Sequence, residues 1–180
     1  MLTLTIHGRE VYDREANVFS RPDDVAVQFE HSLVSLSKWE SKYKIPFIDD
    51  ADKTKEQIHD YVKFMVISPD VPDEVLNRLT TENYAQLEAY INSSETATTF
   101  SASPPDKGPK EKITSELIYY WMSAFRISWE AQYWHLTRLL TLIRVCDIKQ
   151  NPPKKRSQAE LAQWYREENA RRLAASGKAG

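Results

Sequence analysis

Apolar and polar residues alternate with a period of two at two places in the first thirty positions, and with a period near 3.6 afterwards. Leu2, Leu4 and Ile6 alternate with Thr3, Thr5 and His7, and Val25, Val27 and Phe29 alternate with Ala26, Gln28 and Glu30. This is the pattern of half-buried strands. Between them lie the turn-rich stretches 12–17 and 20–24, so two or three short strands in a small antiparallel sheet are predicted.

From residue 31 the period is helical. Ser32 is the expected N-cap of a helix carrying Leu33, Leu36, Trp39 and Tyr43, which Pro46 stops. Thr54 and Gln57 have the spacing of a capping box. The helix they open presents Ile58, Tyr61, Val62, Met65 and Val66 as one apolar stripe, ended by Ser68-Pro69. A short helix follows Pro72 through Val75, Leu76 and Leu79, and another, capped by Thr80 or Thr81, uses Tyr84, Leu87, Glu88 and Ile91.

Residues 93–112 are rich in Ser, Thr, Pro and charge and read as a flexible loop, with Phe100 as its one large apolar anchor. Thr114 then caps a helix through Leu117, Ile118, Trp121, Ala124 and Phe125. Ser128 caps the next, in which Trp129, Tyr133, Leu136, Leu140 and Ile143 recur at helical spacing as far as Lys149. A helix this apolar is expected at the centre of the fold, paired with its predecessor. Ser157 and Glu160 mark a last capping box and a helix with a thin apolar face of Leu161, Trp164 and Leu173. The predicted fold is therefore α+β and predominantly α-helical, a small N-terminal antiparallel β-sheet followed by a helical body. Its body is 1–148: β-rich 1–30, helices in 31–92, the loop 93–112 and a core helix pair in 113–148. Residues 149–180 form a basic C-terminal helix or tail.

Charge sharpens that boundary. Residues 149–180 hold eight basic and three acidic side chains, net +5, while residues 1–148 hold 16 basic and 23 acidic, net −7. A basic tail on an acidic body fits either phosphate binding or docking to a protein partner, with a plain solvated helix as the simplest alternative. Interruption by Glu160, Glu167 and Glu168 disfavours nucleic acid. Lys154, Lys155, Arg156, Trp164, Arg171 and Arg172 are the candidate partner-binding residues. With only four glycines, two of them among the last four residues, no Gly-rich phosphate loop can be written. The single cysteine, Cys146, excludes an internal disulfide framework. The N-terminus lacks a signal-peptide pattern, and 136–148 is too short and too charged to span a bilayer, so an intracellular protein without membrane contact is expected.

Candidate chemistry is sparse. His7, His31, His59 and His135 show no metal-ligand spacing, and solvated or cap-forming roles are the expectation. His135 has no nominated orienting partner, and Cys146 lies about 16 Å further along a common helix, too far for a nucleophile pair. Cys146 reads as a small buried apolar residue. No catalytic constellation, cofactor site or metal site is predicted. Aromatics are in surplus. Tyr119, Tyr120 and Trp121 are consecutive, so at least one must face away from the core.

Five segments stand in a recognisable order: Phe29–Glu40, Thr96–Phe100, Ile113–Met122, Trp134–Cys146 and Pro152–Lys155. From about residue 27 to the basic end, the chain resembles the tail assembly chaperones of long-tailed, siphovirus-type bacteriophages. The resemblance implies a non-enzymatic protein of the host cell cytoplasm. It would bind the tape measure protein, and possible further contacts are tail tube subunits and a second copy of itself. It would hold the tape measure protein soluble during tube assembly and be absent from the finished particle. Family members often arise as short and long products of programmed frameshifting, and Gly177-Lys178 can be encoded by a slippery purine run. A structural virion component, such as a head–tail connector or tail completion protein, and a small nucleic-acid-binding regulator are the alternatives.

Overall fold

The computed structural model describes residues 1–14, 17–48, 52–100, 112–151 and 158–175. The chain forms two compact units, Met1–Cys146 and Asp147–Gly180. The fold is α+β and mostly helical, with strands β1 (Leu2–Ile6), β2 (Val11–Asp13), β3 (Val18–Ser20) and β4 (Val25–Phe29). The helices are α1 (Leu33–Tyr43), α2 (Lys55–Met65), α3 (Asp73–Leu76), α4 (Thr81–Ile91), α5 (Ser115–Ala124), α6 (Leu136–Gln150) and α7 (Gln158–Ala175).

β1 and β4 pair antiparallel from Leu2 opposite Phe29 to Ile6 opposite Val25, and β2 and β3 form a separate hairpin. The period-two pattern sends Leu4, Ile6, Val27 and Phe29 to the buried face. The free edge of β4 is covered by the end of α2: Glu30 N–H donates to Met65 C=O at 2.8 Å, and Ile67 N–H to Gln28 C=O at 2.9 Å. Gly8 is required after β1, because a Cβ there would lie 1.7 Å from the Pro22 carbonyl oxygen.

Four of the predicted caps close their helices; Ser128 makes no side-chain cap bond, and Ser157 lies outside the described residues. Ser32, Thr54 and Thr80 each form a reciprocal capping box, and Thr114 accepts from Leu117 N–H. α1 ends two residues before Pro46, at Lys44 in the left-handed region with φ 60°, whose N–H returns to Glu40 C=O.

Two hydrophobic clusters make the core, and α1 supplies both. Its Trp39 packs with the sheet and with Tyr61, Val62 and Met65 of α2. Its Leu33 and Leu36 pack with Ile118 and Met122 of α5 and with Leu136, Leu139 and Ile143 of α6. Both helices of the expected pair, 113–148, contribute to the second cluster, and α1 is the helix common to both clusters. Trp121 and Leu140, expected in the core, are only half-buried. The helix expected from Ser128 to Lys149 begins only at Leu136: 129–133 is a 3-10 helix, and Trp134 is extended. Tertiary hydrogen bonds account for the break. His135 bridges to Ser32, and Leu136 N–H donates to His31 C=O at 2.7 Å, so this backbone is spent on the β4–α1 junction before α6 begins. Trp129 and Tyr133, expected on the apolar stripe, are consequently 56% and 62% exposed.

Of the expected loop 93–112, residues 101–111 lie outside the described residues. Phe100 is held by Arg144, whose guanidinium lies 4.1 Å from the ring centre.

Candidate functional site

An open groove of about 730 Å³ runs between α2 and α4, with Phe47 and Lys53 from the α1–α2 connection also lining it. Its deepest lining residues are Tyr61, Val62 and Leu87, all buried, and its sides are Ile58, Tyr84 and Ile91. The apolar stripe predicted on α2 is therefore only partly core. Tyr61, Val62 and Met65 are buried, but Ile58 at the first turn is 42% exposed. α4 leaves that end of the stripe uncovered, which is what makes a groove instead of a closed helix–helix contact.

Polar groups fix the groove rather than fill it. His59 of α2 and the Tyr84 hydroxyl of α4 are hydrogen-bonded at 2.6 Å, pinning the two helices together, and burial raises the Tyr84 phenol. The Lys53 ammonium donates to Phe47 C=O at 2.7 Å and lies 4.4 Å from the Phe47 ring centre, so it holds one wall in place. Lys55 and Glu88 complete the charged lining. Apolar depth with a few charged residues is the composition of a surface that takes the apolar face of a helix.

A second exposed aromatic surface lies on α5 and the 3-10 helix. Tyr119, Tyr120 and Trp121 divide as their spacing requires: Tyr120 is 66% exposed and its neighbours are half-buried. The Tyr119 ring lies tilted against exposed Trp129 with ring centres 5.7 Å apart, and its hydroxyl donates to Gln132 Oε1.

Of the residues proposed for partner binding, Lys154, Lys155 and Arg156 lie outside the described residues. On α7, Arg171 and Arg172 both pair with Glu168, at 3.8 and 3.2 Å. Trp164 lies four residues before Glu168 and is half-buried, with its ring 5.0 Å from that of Tyr165. Trp164, Glu168 and Arg172 therefore share one helix face, on which Glu168 offsets the two arginines.

Two of the four histidines, His31 and His135, depart from the solvated or cap-forming role expected of them. His31 and His135 are buried, with ring centres 5.1 Å apart, and His135 does have orienting partners. Its Nε2 is 3.1 Å from Tyr90 C=O and its Nδ1 is 2.8 Å from Thr137 Oγ1. Sequence separation hid this pair. His7 conforms, being exposed beside Asp24 at 2.7 Å. Cys146 is half-buried, not buried. Among the described residues no group of three His, Cys, Asp or Glu could hold a metal ion, and no helix is long and apolar enough to cross a membrane.

Comparison of the chain with protein-family models, with curated proteins and with solved structures finds no match.

Proposed function

We propose that this protein is a bacteriophage tail assembly chaperone that binds the tape measure protein and keeps it soluble, using the α2–α4 groove to take an apolar helical stripe. The observation that carries the reading is the uncovered apolar end of α2, where Ile58 stands exposed beside Tyr84 and Ile91. The ordered resemblance of segments between residues 29 and 155 supports the tape measure protein as that partner. A long helical partner presents apolar residues at i, i+3, i+4 and i+7, and a groove of this depth shields such a stripe from self-association. The basic segment 149–180 is the second contact, engaging acidic stretches of the same partner through Lys154, Lys155, Arg156, Trp164, Arg171 and Arg172.

Co-expression with the tape measure protein of the same phage genome tests the reading. The full chain should hold that protein in the soluble fraction and co-purify with it. Ile58→Asp should abolish both, and so should deletion of 149–180, with the body still folded. Failure of the full chain to solubilise the partner would refute the chaperone role. Recovery of the protein from purified virions would favour a structural component instead.

A further inference from the structure

His31 and His135 meet where the two hydrophobic clusters join. His31 sits between β4 and α1, and its Nδ1 is 2.5 Å from the buried Tyr61 hydroxyl of α2. His135 immediately precedes α6. Its ring packs edge-on against His31 and against Tyr90 of α4, and its Nε2–H donates to Tyr90 C=O. Backbone joins the same place: Leu136 N–H donates to His31 C=O, and Ser32 bridges to His135. Thr137 extends the contact to Ser93 C=O at 3.3 Å.

We propose that the His31–His135 pair is an acid-sensitive latch, which holds the start of α6 against the β4–α1 junction while His31 is neutral and releases it when His31 takes a proton.

Among the described residues, the surroundings give a proton on His31 no compensation. Neither ring has a carboxylate among its hydrogen-bond partners there, which are Tyr61, Thr137 and the Tyr90 carbonyl. Glu30, the nearest acid along the chain, is taken by the Tyr90 hydroxyl at 2.6 Å and by the N-terminal amine at 2.9 Å. Glu40 on α1 is taken by the backbone N–H groups of Phe47 and Ser115. Removal from water disfavours the imidazolium, and the second histidine adds to this, so His31 is pushed down to about 4. The sign follows from linkage. A released His31 titrates near 6.5 and the latched ring near 4, so the open form binds more protons between those values. The latch is complete above about pH 6.5 and weakens as pH falls towards 4. Between pH 7 and pH 5 its opening constant should rise roughly 20-fold.

Residue-resolved amide hydrogen exchange on the full chain, corrected for intrinsic rates, measures this opening. From pH 7 to pH 5 the Leu136 and Leu139 amides should lose roughly 20-fold in protection, while the β1–β4 ladder amides of Leu4 and Val27 keep theirs. In His31→Gln, which cannot take the proton, the pH-dependent loss should vanish. An equal loss in that variant, or parallel loss in the ladder, would overturn the latch. Imidazole NMR of the unaltered protein gives a reading independent of any variant. A His31 ring that titrates near 6.5 in the folded chain would overturn it as well.

Discussion

Glu40 of α1 accepts the backbone N–H of Ser115 at 2.7 Å through Oε2, seventy-five positions away in the chain, while its Oε1 accepts from Phe47 N–H at 2.8 Å. Ser115 is the first residue of α5, where N–H groups have no partner within the helix and the dipole favours an anion. A buried carboxylate thus ties α1 to both the α1–α2 connection and the start of α5. Glu40→Ala leaves two donors without their acceptor and should cost about 2–4 kcal/mol in urea denaturation. Glu40→Gln retains one good acceptor and should cost about half of that.

Because α1 feeds both clusters, its tryptophan is the place where truncation should hurt most. Trp39 is fully buried and its Nε1–H donates to Gln57 C=O at 2.9 Å. Trp39→Ala should destabilise by about 3–5 kcal/mol. Trp121→Ala and Leu140→Ala, at half-buried positions, should each cost clearly less in the same denaturation series.

The proposed recognition of a partner by the groove separates two substitutions. Ile58→Asp should change stability by no more than about 0.5 kcal/mol, because the side chain is already partly in water, yet abolish retention of an apolar helical partner. Tyr84→Phe removes the hydroxyl that bonds His59 and should cost about 1 kcal/mol. Retention of the partner should survive it, because the ring still lines the groove. Pull-down beside thermal melting distinguishes the two effects.

Alkali should unfold the protein through Tyr61 and Tyr90. Burial is the chief cause raising the phenols of Tyr61 and Tyr90, and at Tyr90 the Glu30 carboxylate adds to it. Their folded values lie above the unfolded value of about 10. Their contribution is therefore whole below that pH and is lost as pH rises beyond it. Stability measured between pH 9 and pH 11 should fall, and Tyr90→Phe should remove about one proton from the slope.

Local chemistry was written in the sequence and carried through. The alternations at 2–6 and 25–29 became a two-stranded ladder, because side chains on a strand can only alternate between faces. Ser32, Thr54, Thr80 and Thr114 cap the helices they were expected to cap, because a cap needs only residues three positions apart. Tyr120 points outward for the same local reason. Tertiary structure decided everything that depends on which face meets which. Trp129 and Tyr133 had α-helical spacing but lie in a 3-10 helix outside α6, because the backbone at 135–136 found partners in His31 and Ser32, a hundred residues earlier. Ile58 belonged to an apolar stripe, but burial requires a neighbour, and α4 covers only part of that stripe. Periodicity reports a face and cannot report what covers it, so the groove, the Glu40 tie and the histidine pair came into view only when distant segments were brought together.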